Sequence, residues 1–369
     1  MNWLKTWLNW LKKTAYNRIV YATALWRRGL RLQASLFKNF PRGVVSRDRR
    51  SLFNIKKGAR LIQRSCLLLF LLSLSIPAYS LRIVVMPDTL KPGYPLSIAV
   101  EGANGQGLVA KLATAAQGIV GEARLFDIQP REFAQGNLVK AAILAAPSTM
   151  KSGTATIRIE NDHGLLGEVA VTIMERDFVS EVIFLDERNT EIRSVPSRKK
   201  TEEAQWLWAI LARTDDSFYA EGMSFSRPVA STRRTSFFGD RRVYRYSGGG
   251  SDTAIHAGVD YGVPTGTPVY ACAPGRVVLS AFREATGESI VVEHLPGVYS
   301  LYYHLSRRDV EEGAFVTRGG MLGESGMTGL ATGPHLHWEV RIAGENVDPD
   351  VCILKPIFDK DSLLQRLRD

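Results

Sequence analysis

The chain has 369 residues, 45% apolar and 23% charged, with 32 glycines, 16 prolines and 3 cysteines. That length suggests more than one domain. The apolar share excludes a disordered or fibrous chain, and the cysteines, none in a CxxC pair, exclude both a disulfide scaffold and a thiolate zinc knuckle. The formal charge of +10 sits at the front: residues 1–65 hold sixteen Lys or Arg against the single acid Asp48, which leaves 31 basic and 36 acidic side chains from Leu81 onward. The part able to fold is therefore mildly acidic. It lacks the basic face that phosphate binding needs, so no nucleic-acid partner is expected.

Residues 1–80 read as a basic N-terminal extension and export signal. Cys66 to Ile76 is an apolar run behind Lys56, Lys57, Arg60 and Arg64, followed by Pro77-Ala78-Tyr79-Ser80 with small residues at signal-peptidase spacing. Its eleven residues fall short of the ~20 that a spanning helix needs. A cleaved signal delivers the protein to the periplasm or cell envelope, and an uncleaved one leaves it membrane-anchored. Upstream, Trp3, Leu4, Trp7, Leu8 and Leu11 recur at helical spacing among Lys5, Lys12 and Lys13. That is the pattern of a helix lying on an anionic membrane, and it predicts membrane contact through the N-terminal region. A mis-assigned start codon is the competing reading of residues 1–50.

From Leu81 the pattern changes to short alternating runs, Leu96/Ile98/Val100, Ala155/Ile157/Ile159 and Val169/Val171/Ile173, separated by Lys91-Pro92-Gly93, Asn104-Gly105 and Lys151-Ser152-Gly153. Half-buried strands and turns of this kind predict an immunoglobulin-like β-sandwich over 81–178. His163, in Asn161-Asp162-His163-Gly164, reads as a turn residue. A helical connector is expected over 179–224, with Thr201 as N-cap, Glu202 and Glu203 in its first turn, and an Ala204, Leu207, Trp208, Leu211 stripe that packs on a neighbour. Strand signals resume near Phe225 and run to about residue 355. Residues 356–369 read as a polar C-terminal tail.

Five of the six histidines lie between 256 and 337. In His256-Ala257-Gly258-Val259-Asp260 the glycines Gly258 and Gly262 and Pro264 exclude a helix, so imidazole and carboxylate must converge on a loop entering a strand. In Gly333-Pro334-His335-Leu336-His337-Trp338-Glu339-Val340, period-2 geometry puts His335 and His337 on one face and Leu336, Trp338 and Val340 on the other. Paired imidazoles are costly to bury without a metal or hydrogen-bond partners. His304 follows in the apolar run Tyr302-Tyr303-His304-Leu305. A hydrolytic zinc site takes three protein ligands and keeps a fourth position for water. Four histidines and one aspartate exceed that need by two imidazoles, which is what general acid–base catalysis asks for.

At these residues the chain resembles the lysostaphin/LytM-type zinc peptidoglycan endopeptidases. The resemblance covers about 225–350 and runs through Ser236-Phe237-Phe238-Gly239, His256 to Asp260, Gly266-Thr267-Pro268-Val269, Pro274 to Val278, Tyr302 to Leu305, Gly326-Met327-Thr328-Gly329, Thr332 to Val340 and Val347-Asp348-Pro349. It implies a mainly β protein whose sandwich precedes a LytM-type antiparallel β catalytic domain over 225–355, the connecting helix between them. It also implies one Zn2+ ion held by His256, Asp260 and His337. His304 and His335 would flank a zinc-bound water, one as base and one stabilising the oxyanion, in either order. The expected substrate is the peptide cross-link of peptidoglycan, with a regulatory protein partner in prospect. A non-catalytic relative that binds the wall and activates a separate amidase is the rival expectation.

The pattern is departed from at Thr286 to Ile290, which lacks the asparagine often found before the following strand. Arg241 and Arg242 read as solvated surface or as a subsite for a substrate carboxylate, and His294 as structural. Cys272 and Cys352 read either as a disulfide or as two small buried thiols.

Overall fold

Runs rich in β-branched and small apolar residues, cut by Gly, Pro, Asn and Asp, form strands. In the computed structural model, residues 81–128, 139–213 and 224–369 are described. The export signal and amphipathic segment expected within 1–80 lie outside them. Among the described residues no helix is long and apolar enough to cross a membrane.

Nine strands precede the connector: β1 (Arg82–Met86), β2 (Thr89–Leu90), β3 (Pro95–Glu101), β4 (Val109–Thr114), β5 (Gly118–Arg124), β6 (Phe126–Asp127), β7 (Val139–Ala145), β8 (Gly153–Asn161) and β9 (Gly164–Ile173). They form two sheets, β1-β3-β7-β6 and β2-β9-β8-β4-β5. Leu96, Ile98 and Val100 of the first sheet pack against Leu112, Ile157, Ile159 and Val171 of the second. His163 sits in the turn between β8 and β9, where its N–H donates to Asn161 Oδ1.

The alternation in β3 predicts one polar face, and here the structure differs. Ser97 and Ala99 are also buried. Ala99, Ala141, Ile143 and Ala145 point away from the sandwich core into a second core, shared with the C-terminal half of the chain. What covers this outer face is the segment expected to be a polar tail. α4 (Lys360–Arg368) is N-capped by Asp359, whose side chain accepts from Ser362 N–H, and it buries Leu363, Leu364 and Leu367 in that shared core. Ser97 Oγ closes the contact by donating to the Ile357 carbonyl at 2.5 Å.

The connector holds more than a helix. β10 (Ser180–Phe184) is followed by α1 (Glu187–Ser194) and α2 (Arg198–Leu211). The N-cap of α2 is Ser197, whose hydroxyl accepts from Lys200 N–H, so Thr201 falls inside the first turn. Leu207, Ile210 and Leu211 pack on Leu279, Val291, Tyr299 and Leu301 of the following sheet.

That sheet contains β11 (Arg234–Ser236), β14 (Val259–Tyr261), β15 (Pro268–Tyr270), β16 (Gly275–Arg283), β17 (Gly287–Leu295), β18 (Val298–Arg308), β19 (Phe315–Val316), β20 (Met321–Ser325), β21 (Leu336–Ile342) and β22 (Glu345–Val347). Its order is β11-β14-β21-β18-β17-β16-β19, with β15, β20 and β22 paired at the sides. A separate three-stranded sheet joins β10 to the hairpin of β12 (Arg241–Arg245) and β13 (Ser251–Ile255). The short helix α3 (Pro349–Leu354) is capped by Asp348. Asp348 Oδ2 also accepts from Arg176 Nη2 at 2.6 Å, tying the end of the second sheet to the sandwich side.

Leu363 is fully buried, so Leu363→Ala removes a packed side chain at the junction of both halves. A loss of roughly 2–5 kcal/mol is expected from the urea midpoint, in one transition rather than two.

Candidate metal centre

Three strands put the central side chains in one row. Asp260 on β14 is registered opposite His337 on β21, and His337 opposite Tyr303 on β18. Leu336, Trp338 and Val340 point to the other face and are completely buried, as the period-2 reading expects. His256 arrives from the loop after β13. Gly258 makes that approach feasible, because a Cβ there would stand 2.2 Å from the Trp338 carbonyl oxygen; only glycine lets the backbone pass so close.

His256 Nε2, Asp260 Oδ1 and His337 Nδ1 meet in a triangle with sides of 3.1, 2.7 and 3.1 Å. All three residues are buried, and together they could hold a metal ion. Bonds of about 2.0–2.2 Å to a tetrahedral ion would set such donors about 3.3 Å apart. Two sides of the triangle have to open by about 0.2 Å and the third by about 0.6 Å.

Proton placement gives an independent test of fit, since a metal-binding imidazole must present a bare nitrogen and donate its other N–H elsewhere. His256 Nδ1–H donates to the Phe237 carbonyl at 2.7 Å, leaving Nε2 for an ion. His337 Nε2–H donates to Glu339 Oε1 at 3.0 Å, leaving Nδ1. The donors present therefore suit a divalent metal.

His304 and His335 complete the group. Their rings lie 4.8 Å apart, His304 is 6.0 Å from His337 between centroids, and His335 Nε2 is 3.9 Å from Asp260 Oδ1. In a regular strand, Tyr303 and His304 would face opposite sides of the sheet. The β17–β18 register shifts between Glu288 and Ile290, and His304 takes φ +60°, a left-handed conformation rare for a side chain other than glycine. This bulge lets His304 reach the groove while Tyr303 stacks on His337 with rings 5.6 Å apart. His304 Nδ1–H donates to the Thr328 carbonyl and His335 Nδ1–H to the Gly333 carbonyl, both at 2.7 Å. Each ring thus turns a bare Nε2 to the groove.

Charge is distributed unevenly among these groups. Burial, aided by the neighbouring imidazoles, pushes His304 down to about 3. Burial also lowers His335, against a partial opposing pull from Asp260; both rings are neutral at neutral pH. Burial would lower His337 too, but the carboxylates of Asp260 and Glu339 outweigh it and raise the ring to about 9. Asp260 is held well below the usual carboxylate range, because His256 and His337 overcome the cost of its burial. Burial likewise works against the Glu339 carboxylate, and Arg341 and His337 prevail; Arg341 Nε donates to Glu339 Oε2 at 2.7 Å.

Glu339 has no role in the sequence reading, and Arg242 has a different one. Glu339 had a signal, since it stands two residues beyond His337 on the same strand face. Arg242 is neither solvated surface nor free for a substrate: its side chain is 12% exposed and its Nη2 donates to Asp260 Oδ2 at 2.8 Å. Arg241 is also engaged, donating from Nη2 to the Ser148 carbonyl at 2.7 Å. The turn between them and Ser236 is fixed by Asp240, whose Oδ2 accepts from Phe237 N–H at 2.9 Å.

His294 is fully buried away from the group, its two nitrogens satisfied by the Pro274 carbonyl and Ser300 Oγ, both at 2.7 Å. Cys272 and Cys352 are free buried thiols, so of the two readings the disulfide fails. α1 is tied down at two points: Asn189 Nδ2 donates to the Ala331 carbonyl, and Arg193 pairs with Asp252 on β13.

Three buried donors that could hold a metal ion, brought together by strands beside two further imidazoles, define a candidate metal-site β domain. Residues 254–349 match the model of Peptidase family M23, and this part of the chain is a Peptidase M23 domain. The chain is 40% identical over 122 residues to the DD-carboxypeptidase/endopeptidase Mpg of Neisseria meningitidis serogroup B, a match covering 33% of this chain and 27% of that protein. It is 32% identical over 188 residues to the peptidoglycan DD-endopeptidase ShyA of Vibrio cholerae, covering 49% and 42%. These matches span between about a quarter and a half of the relatives' length. Among solved structures, the catalytic domain of the prophage-encoded M23 protein EnpA from Enterococcus faecalis is 32% identical, with a TM-score of 0.29 over 34% of this chain and 95% of that one.

In the metal-free fold the proton on His337 adds stability that is full below the ordinary histidine value of 6.5 and is lost as pH rises through about 9. A metal ion must displace that proton. Titration calorimetry at pH 7.5, in buffers of different ionisation enthalpy, is expected to show about one proton released from His337 per ion bound, on top of any lost by metal-bound water, and His337→Ala should remove the His337 share.

Proposed function

We propose that the protein is an exported zinc metallo-endopeptidase acting on the peptide cross-links of peptidoglycan in the cell envelope. The observation that carries this reading is the convergence of His256 Nε2, Asp260 Oδ1 and His337 Nδ1, with the His304 and His335 rings beside them. The names of the relatives, a DD-carboxypeptidase/endopeptidase and a peptidoglycan DD-endopeptidase, support a cross-link between D-residues as the bond.

Zinc held by the three donors would supply a Lewis acid that polarises a carbonyl and acidifies water. The remaining work falls to side chains of the chain itself. A neutral His304 or His335, with Nδ1–H committed to a backbone carbonyl, can only accept a proton at Nε2. It takes that proton from the attacking water as the new carbon–oxygen bond forms. Once charged, that ring gives the proton from Nε2 to the leaving amine as the carbon–nitrogen bond breaks, while the other imidazole lies beside the developing oxyanion and stabilises it once protonated at its own Nε2. Burial of both rings favours return of that proton, so the ring ends neutral. Arg242 and Glu339 keep Asp260 and His337 oriented throughout.

The test uses residues 81–369 with cross-linked muropeptides, with and without a chelator, read by mass spectrometry. Chelator-sensitive loss of dimer is expected, and the masses of the new ends name the bond. His256→Ala and His337→Ala should lose both metal and cleavage. His304→Ala and His335→Ala should keep the metal and lower kcat by about 10²-fold or more. A zinc-loaded, folded protein that cleaves nothing would instead support the wall-binding activator of an amidase.

A further inference from the structure

Asp260 offers only one of its two oxygens to the triangle, and the other is taken. Its Oδ2 lies 2.8 Å from Arg242 Nη2, and the Asp260 side chain is 9% exposed. The same Arg242 Nη2 donates to Ser236 Oγ at 2.6 Å. Its Nε donates to Glu181 Oε1 at 2.6 Å, and Ser236 Oγ is 3.0 Å from that carboxylate oxygen. Glu181 lies on β10 directly opposite Arg242 on β12, in a parallel pairing. It therefore comes from the connector, well before the family match begins at residue 254.

We infer that Arg242 and Glu181 are positioning residues that hold Asp260 as a single-oxygen metal ligand, so that the connector strand completes the metal site. Arg242 alone could swing between carboxylates on its flexible stem. Anchored at Nε by Glu181 and at Nη2 by Ser236, its planar fork has one orientation left, and in it the remaining Nη2 hydrogen meets Asp260 Oδ2. Without that hydrogen bond, Oδ2 would be a buried oxygen with no partner. Rotation of the carboxylate to bring both oxygens onto the ion would then be favoured, taking up coordination space that a hydrolytic site keeps open. Glu181 also offsets the charge of Arg242, which leaves Asp260 its full attraction for a cation.

The inference rests on the reading of the triangle as a zinc site, and its test is metal binding by the full chain rather than cleavage. Zinc affinity is measured by competition with a chromophoric chelator, and coordination number from the intensity of the cobalt(II) d–d band, which falls as ligands are added. Arg242→Ala is expected to weaken zinc about 10–100-fold and to dim the cobalt band. Arg242→Lys should recover part of the affinity, since an ammonium keeps the charge but cannot span two carboxylates. Glu181→Gln, on a partly exposed strand, should weaken zinc roughly 10-fold, and it carries the test together with Arg242→Lys if Arg242→Ala does not fold. Wild-type affinity and an unchanged cobalt band in folded Glu181→Gln and Arg242→Lys would overturn the inference while leaving the zinc site standing. A wild-type chain that takes up no zinc would overturn the site reading itself.

Discussion

Everything in the groove follows from where four imidazoles keep their protons. A ring that is to bind an ion or accept a proton must show a bare nitrogen, and in a buried site that requires an acceptor behind it for the other N–H. Three of these acceptors are backbone carbonyls, those of Phe237, Thr328 and Gly333, and the fourth is the Glu339 carboxylate. Carbonyl oxygens can be aimed only by fixing the loops that carry them. Asp240 winds the loop that presents Phe237. Thr328 is locked by its own hydroxyl, which donates to the Leu305 carbonyl at 2.7 Å, next to the bulge that turns His304 inward. The glycine-rich segments around the histidines are thus supports for proton placement more than lids or hinges.

The same requirement explains the charge pattern. A cluster of neutral rings would be easy to bury, but a metal site needs at least one anion, and a buried anion needs compensation. Asp260 and Glu339 each have an arginine behind them, Arg242 and Arg341. Each carboxylate therefore lies between a histidine and a guanidinium. The arrangement keeps both acids ionised, while His304 and His335, whose Nδ1–H groups go to backbone carbonyls, stay neutral.

Much of this was legible in the chain. Alternation around His335 and His337 fixes which face they share, and Gly258 with Pro264 excludes a helix for the first ligand pair. The fold class was equally open to reading, because turn residues cut the chain into strand-length runs. Three features were not accessible for identifiable reasons. The reach of His304 depends on a bulge, which breaks the period-2 rule by which strand faces are read. The place of Glu181 depends on a parallel pairing with a strand sixty-one positions away, and no local pattern encodes that. The burial of α4 was hidden by its composition: four charged residues in a short helix look solvated, and only the cluster Leu363, Leu364, Leu367 marks a face. β3 misled in the opposite sense, since serine and alanine between larger apolar residues imitate a solvent side.

That two-sided burial of β3 bears on the order in which the molecule can be assembled. The link from Ser97 to Ile357 joins residues 260 positions apart, and α4 follows directly after Ile357. During synthesis, the outer face of β3 and β7 is made before α4 and stays uncovered until α4 follows. Such late long-range closure is slow and leaves apolar strand surface open to wrong partners in the interval. A chaperone holding that face would act on strands that are made well before the helix that covers them.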